Sequence, residues 1–405
     1  MEKVWERIEG YRDEMIKAQN DLCALKAISP DSGGDGEYDK ARLVRKLVSF
    51  ADRIEEYDAK DERAKKGIRP NIVANIRGRD RGRAIWIMSH LDVVPEGDRG
   101  LWETDPFKAV VKEGKIYGRG VEDNQQAVVA SIFAAKAFKD IGIKPKYDIN
   151  LLFVSDEEMG SEYGIRFLLK EHGDLFRKDD IYLVPDSGSP EGDEIEIAEK
   201  TILWLKFTVE GKQTHASMPE KGINAHRAGA DILLAIDRAL HEEYNARNEL
   251  FLPPTSTFEP TKKDANVPNV NTIPGTDVFY FDCRVLPEYD PEKILEDVKK
   301  VVEEMGDRYG VKVRIDLLQK GERTPVTDPD SEGVGLLKSA IKKVYGVEAR
   351  TVGIGGGTVA AYLRAAGCNA CVWARIEELA HQPNEYCVID NLIGDAKVLA
   401  TMASE

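Results

Sequence analysis

Short unbroken apolar runs, each closing in a polar or glycine-rich loop, constrain this chain more than any other feature. They are Ala84–Met88, Ile149–Val154, Ile181–Val184 and Ala370–Ala374, and helical patterns such as Ala127–Phe138 and Glu162–Lys170 separate them. A strand that is apolar on both faces has to be covered on both faces. The alternation therefore predicts an α/β fold, a mostly parallel sheet flanked by helices. Ahead of it, Trp5, Ile8, Tyr11, Met15 and Ile16 recur at helical spacing and predict one amphipathic helix from Trp5 to about Ala27. A second helix is expected from Tyr38 to about Tyr57, with Leu43, Leu47 and Ile54 inward.

Residues 201–320 follow a different grammar. Leu203–Val209 alternates like a half-buried strand, Ala225–His241 is amphipathic, Thr255–Pro260 and Val278–Val285 read as strands, Pro291 to about Arg308 as a helix and Val311–Leu317 as a last strand. The order β-α-β-β-α-β is the split βαβ, ferredoxin-like α+β pattern. Parallel-sheet grammar resumes near Thr351. The expected organisation is thus a discontinuous α/β domain (1–200 and 321–405) interrupted by an inserted domain (201–320), in keeping with a chain of 405 residues.

The charge balance narrows the partners. With 72 acidic against 57 basic side chains the formal charge is -15, a field that repels phosphate backbones and anionic lipid headgroups. No nucleic-acid or membrane partner is expected, and the basic runs Arg77–Arg83 and Lys60–Lys66, interleaved with Asp, read as solvated loops. Five cysteines, three of them without a neighbour in sequence, suit a reducing compartment, and Cys368-x-x-Cys371 reads as two small buried residues leading into a strand. The first residues lack the apolar core of an export signal, so a cytoplasmic protein is expected.

The chemistry lies where the apolar runs stop. Ala84–Ser89 leads to His90-Leu91-Asp92, and the loop before Ala127–Phe138 carries Gly118-Arg119-Gly120-Val121-Glu122-Asp123. Ile149–Ser155 leads to Asp156-Glu157-Glu158, Ile181–Val184 to Pro185-Asp186-Ser187-Gly188, and Ala370–Ala374 to His381. In an open α/β sheet the carboxyl ends of the strands converge on one crevice. Two imidazoles and several carboxylates would share that volume, and carboxylates so crowded stay ionised only beside cations. Histidine with Asp and Glu is the donor set of zinc and similar divalent ions, with enough ligands here for two. Any one of these residues could be an ordinary surface histidine, a solvated acidic turn or a helix cap. Five strand ends each delivering a ligand type is a different matter.

His90-x-Asp92, Gly118-Arg119-Gly120-x-x-Asp123, Asp156-Glu157-Glu158-x-Gly160-Ser161, Pro185-Asp186, Gly211-x-x-x-His215-Ala216-Ser217-x-Pro219 and Asn271-Thr272-Ile273-Pro274-Gly275 occur in that order. Over nearly its whole length the chain resembles the co-catalytic zinc amidohydrolases and metallopeptidases that include acetylornithine deacetylase, succinyl-diaminopimelate desuccinylase, aminoacylase, glutamate carboxypeptidase and the carnosine-type dipeptidases. The resemblance implies two divalent ions, Zn2+ in the first instance with Co2+ or Mn2+ as alternatives. Asp123 would bridge them, His90 and Asp186 completing one and Glu158 and His381 the other. Asp92 would fix the His90 tautomer. Glu157 would be the general base for an attacking water and then pass the proton to the leaving amine. His215 would assist at the oxyanion; in dimeric relatives the corresponding histidine reaches the partner subunit's site, so a homodimer through the inserted domain, which is both lid and dimer surface, is expected. Asn271, Arg284 and Arg323 would contact the substrate, the two arginines its carboxylate. The glycine run with Gly356, Gly357 and Thr358 would allow close approach of substrate to backbone.

The implied activity is hydrolysis of an amide bond in a small N-acyl amino acid or short peptide with a free carboxylate, as a deacylase or as a dipeptidase or carboxypeptidase. Two positions depart from the relatives. Asp123-Asn124-Gln125-Gln126 stands where Asp-x-Lys-Gly is common, and Val359-Ala360-Ala361 follows the glycine run where desuccinylases and deacetylases carry Thr/Ser-Asp-Ala-Arg. Against the enzyme reading stand a non-catalytic metal- or ligand-binding relative, which would be expected to have lost the base or a ligand, and a serine hydrolase using Ser89 or Ser187, which lacks the Gly-x-Ser-x-Gly elbow.

Overall fold

The computed structural model describes residues 1–405. Its eight-stranded sheet runs Arg53–Lys60, Ile68–Ile76, Tyr147–Val154, Asp80–His90, Ile181–Ser189, Ala370–Arg375, Glu194–Glu199 and Arg350–Ile354. The central strands pair in parallel: Asp80–His90 with both Tyr147–Val154 and Ile181–Ser189, and the latter with Ala370–Arg375. Antiparallel strands are added on either side. The central strands carry the apolar runs because helices leave neither face to water; Ile87, Leu151, Leu183 and Val372 are all buried. The helix Gln125–Ile141 is buried along almost its whole length and stops at Gly142, whose φ of 69° gives the left-handed cap that glycine adopts at least cost.

Three expectations are corrected. The N-terminal helix is two, Glu2–Glu9 and Arg12–Cys23, broken at Gly10-Tyr11, where glycine weakens a helix interior by about 1 kcal/mol relative to alanine. The helix from Tyr38 ends at Leu47, and Ile54 and Tyr57 lie instead in the strand Arg53–Lys60, opposite Ala74 and Asn71. The edge of Ile68–Ile76 takes up this segment, and cross-strand pairing overrides its helical spacing. Pro185–Gly188 is not a loop: the strand from Ile181 runs on to Ser189 and includes Asp186. Gly188 makes this continuation fit, since a Cβ there would lie 1.9 Å from the Ala374 carbonyl oxygen on the adjacent strand.

The chain divides into two compact units, Met1–Ile197 with Thr327–Val352 and Thr358–Glu405, and Ala198–Val326 with Gly353–Gly357. The second has a four-stranded antiparallel sheet in the order Thr257–Lys263, Thr276–Val285, Thr201–Glu210, Lys312–Lys320. Leu203, Leu205, Phe207 and Val209 alternate inward with Phe279, Phe281 and Cys283, against Ile232, Ile236 and Leu240 of helix Ala225–Glu243 and Ile294, Val298 and Val302 of helix Pro291–Tyr309. Phe207 and Phe279 stack with centroids 4.8 Å apart. Asp290 caps the second helix by accepting from the Glu292 N–H, with Pro291 in its first turn. A two-stranded ribbon, Thr214–His215 against Thr272–Ile273, completes the unit. All five cysteines are buried thiols without disulfides, and no helix is long and apolar enough to cross a membrane.

Candidate functional site

Strand register builds the site. His90 is level with Val154 on one neighbour, so the next residues of that chain, through Glu157 and Glu158, pass beside Asp92. On the other neighbour Ile87 is level with Leu183, so three residues further on His90 meets Asp186. The contacts follow. His90 Nε2 lies 2.9 Å from Asp123 Oδ1 and 3.4 Å from Asp186 Oδ1. On the far side of the same carboxylate, His381 Nε2 lies 3.4 Å from Asp123 Oδ2 and 2.9 Å from Glu158 Oε2. Each oxygen of Asp123 thus faces a different histidine. Glu157 stands with His90 and Asp186, ligand-type atoms all within 4.8 Å of one another, as do those of His90, Asp123 and Glu158.

Asp92 is fully buried behind His90, its backbone carbonyl 3.1 Å and its Oδ1 3.4 Å from Nδ1, and its two carboxylate oxygens accept the Glu157 and Glu158 backbone N–H groups at 3.0 Å each. It therefore orients the imidazole and the acidic turn together. Asp156 takes a left-handed conformation at φ 68° and is tied down by Arg69 at 3.1 Å and by the Tyr163 N–H at 3.1 Å. That fold of the backbone turns Glu157 and Glu158 towards the histidines.

The electrostatics are those of too many carboxylates in too little water. Burial alone would lower the His90 imidazole, but Asp186, Asp123 and Asp92 reverse this and hold it well above its ordinary value. Hydrogen bonds to Asp123 and Glu158 raise His381 to about 10. Burial and the neighbouring Asp123 push Glu158 up to about 7, and burial with Asp186, Glu158 and Asp92 holds Glu157 well above the usual carboxylate range. Glu158 Oε1 is a buried acceptor with no hydrogen-bond partner. An orphaned acceptor among crowded carboxylates and two imidazoles is the donor chemistry of a divalent-cation centre. The residues present fit such a centre.

Three residues that matter here have no ligand signature and were missed in the sequence. Asn124 donates from Nδ2 to Asp186 Oδ1 at 2.5 Å and to the Pro185 carbonyl at 2.8 Å, and its Oδ1 accepts the His90 N–H at 3.2 Å. Its position next to Asp123 was the one available signal. Glu122 and Glu385 accept backbone N–H groups from the loops that carry the ligands.

The remaining expected residues are placed as follows. His215, Asn271, Arg284, Arg323, Gly356 and Gly357 belong to the second unit and Thr358 to the first. His215 and Asn271 are neighbours at the ribbon, where the Ala216 N–H donates to the Asn271 carbonyl at 2.8 Å. Arg284 is engaged within its own unit: it forks onto Asp282 at 2.6 and 2.9 Å and donates to the Gly355 carbonyl at 2.8 Å. Arg323 donates to the Pro287 carbonyl at 2.7 Å and lines a cavity of about 530 Å³ with Pro287, Glu288 and Thr324. A Cβ at Gly356 or Gly357 would meet nothing closer than 3.5 Å, so the chain's own packing does not require glycine there.

The sequence pattern of Peptidase family M20/M25/M40 matches residues 86–405. The chain belongs to this family. It is 44% identical over 403 residues to an uncharacterized metallohydrolase of Methanocaldococcus jannaschii, covering 95% of this chain and 98% of the relative. It is 29% identical over 374 residues to a succinyl-diaminopimelate desuccinylase of Sulfurovum sp., covering 92% and 93%. Among solved structures, human carnosine dipeptidase 1 superimposes with a TM-score of 0.76 at 18% identity over 99% of this chain and 97% of that one. A metallo-carboxypeptidase from Sulfolobus solfataricus does so with 0.76 at 20% identity, over 96% and 98%. These last two likenesses speak for the fold. This member of the family is a metal-dependent hydrolase.

Proposed function

We propose that this M20 hydrolase binds two divalent ions, zinc in the first instance, and cleaves the amide bond of a small N-acyl amino acid or short peptide that carries a free carboxylate. The observation that carries the reading is Asp123, whose two oxygens each face one histidine, with Glu157 beside the pair. His90, Asp123 and Asp186 would hold one ion, and Asp123, Glu158 and His381 the other. Bound there, the ions would supply an acidified water and a positive field for developing oxyanion charge.

The chain's own residues do the rest. Glu157, whose proton affinity burial and the neighbouring carboxylates raise, would be ionised beside the bound cations and suited in that form to accept a proton from water and deliver it to the leaving nitrogen. Asp92 keeps Glu157 in place through the backbone N–H it accepts. His215 suits an oxyanion donor by its tautomer: Nδ1 accepts the Ser217 N–H at 3.2 Å and lies 2.7 Å from the Ser217 hydroxyl, which leaves the proton on Nε2. Asn271 would contact the substrate from the turn that leads into the neighbouring ribbon strand. The engagement of Arg284 with Asp282 supports a role in holding the Gly355–Thr358 loop against the substrate, while Arg323 keeps guanidinium nitrogens to offer a carboxylate. The second unit is assigned as lid and dimer surface, the whole acting as a cytoplasmic homodimer.

Glu157→Ala is expected to lower kcat by about 10³-fold or more, with metal content staying at two per chain by elemental analysis. Substantial turnover in that variant would overturn the mechanism. A panel of dipeptides and N-acetyl and N-succinyl amino acids identifies the substrate, and cleavage of substrates lacking a carboxylate as well as those bearing one would remove the carboxylate requirement.

A further inference from the structure

The loop that delivers His381 is not held by its own conformational preferences. Between Arg375 and Tyr386 the chain has no regular secondary structure, and three non-glycine residues, Glu378, His381 and Asn384, sit in the left-handed region at φ 59°, 65° and 61°. L-residues reach that region only where the surroundings over-determine it. Asn384 is tied to a neighbouring segment, accepting the Glu103 N–H at 2.7 Å and donating to the Leu101 carbonyl at 2.9 Å, and the rest of the loop is bound to two buried carboxylates. Glu385, with no solvent exposure, accepts Arg119 Nη1 at 2.7 Å and the Gly120 N–H at 2.9 Å on one oxygen, and the Glu122 and Asp123 N–H groups at 2.9 and 3.1 Å on the other. Glu122 points the opposite way, accepting the Glu377 N–H at 2.8 Å and the Leu379 N–H at 2.7 Å. Arg119 bridges Glu385 and the His381 loop, with Nη2 3.3 Å from the His381 carbonyl.

From this geometry we infer that Glu122 and Glu385 form a reciprocal carboxylate clamp, a pair of positioning residues that set the spacing of Asp123 and His381 and so govern affinity for the ion these two share with Glu158. Each carboxylate comes from one ligand-bearing loop and is bound by the backbone of the other. Both have their oxygens committed to N–H donors, so neither is a ligand. Two further carboxylates beside an already crowded site, with Arg119 bound to one of them, also make the site more favourable for an entering cation. His90 needs no such device, because it ends a central strand.

The inference rests on the two-ion reading, and one experiment separates the two. Metal-free full-length protein is titrated with Co2+, following uptake by equilibrium dialysis and the ligand-field spectrum of each site. Wild type taking up fewer than two Co2+ per chain would overturn the two-ion reading itself. Given two, Glu122→Gln, which places an amide NH2 against a backbone N–H, is expected to weaken one ion by 10- to 100-fold while the other stays within about threefold. The altered spectrum should be the one that His381→Ala also removes, and excess Co2+ should restore kcat. Glu377→Gln, which changes a side-chain charge on the same loop and leaves the backbone N–H that Glu122 accepts in place, should bind as wild type. Should Glu122→Gln fail to fold, Arg119→Lys, which keeps the cation but cannot reach both Glu385 and the His381 carbonyl, is expected to show the same selective loss at smaller size. Unchanged affinities in a folded clamp variant, or equal loss of both ions, would overturn the clamp.

Discussion

His90 and His381 approach the same carboxylate from opposite sides, and they are held in opposite ways. The His90 side chain is 2% exposed, closes a strand paired on both edges, and has Asp92 behind it. The His381 side chain is 57% exposed and rides on an irregular loop. One half of the centre inherits its precision from sheet register. The other has to be braced by hydrogen bonds from elsewhere.

The comparison breaks first under substitution of the histidines. His90→Ala leaves Asp92, Asp123 and Asp186 crowded without their shared cation, so loss of turnover by about 10³-fold or more should come with a thermal midpoint lowered by several degrees in the metal-free protein. His381→Ala should match the loss of turnover but lower that midpoint by less, because its pairing with Asp123 and Glu158 is largely open to solvent. Equal thermal effects, by calorimetry on metal-free samples, would erase the distinction between a rigid and a braced half.

A smaller effect is expected from pH. In the metal-free protein His381 is held at about 10 by Asp123 and Glu158, so at pH 7 it carries a proton that an incoming ion must displace. Affinity for that ion should therefore rise with pH, about tenfold per unit for each proton released, flattening near pH 10. Below about pH 7, protonation of Glu158 adds to the slope. Buffer-dependent enthalpies of Co2+ binding measure the proton count, and a pH-independent affinity between 6 and 9 would contradict the assignment.

The smallest effect concerns the rigid half. Lys40 is buried with no hydrogen-bond partner for its Nζ, and burial lowers it to about 8 against the opposing pull of Cys23, Asp92, Glu37 and Glu385. Below pH 8 the folded protein holds a costly buried ammonium. Between about 8 and 10.5 the unfolded chain keeps the proton and the folded one does not, so this penalty shrinks as pH rises. Lys40→Met should raise the thermal midpoint by a few degrees at pH 7, and the advantage should fade towards pH 10. A lower midpoint at pH 7 would show that Lys40 compensates the carboxylates more than it costs.

Much of this was legible in the sequence. The apolar runs predicted the central parallel strands, the split βαβ order predicted the sheet of the second unit, and the ligand-type residues brought together around Asp123 were expected there. What was illegible depends on partners far along the chain. Ile54 and Tyr57 have helical spacing and became a strand because Ile68–Ile76 offered an edge. Asp186 lies inside a strand because Gly188 lets the Ala374 carbonyl in. Glu122 and Glu385 look like surface charge in a chain at -15, and only their burial against each other's loops reveals otherwise.

By itself the sequence determined which segments are apolar on both faces, in which order they come and which chemical groups follow them, because periodicity and loop composition are properties of neighbouring residues. The tertiary structure alone decided that His90 stands level with Val154 and three residues past the Ile87–Leu183 pair, and that two carboxylates tie the Asp123 loop to the His381 loop. Register and long-range hydrogen bonds are settled by packing between segments distant in sequence, and no local pattern encodes them.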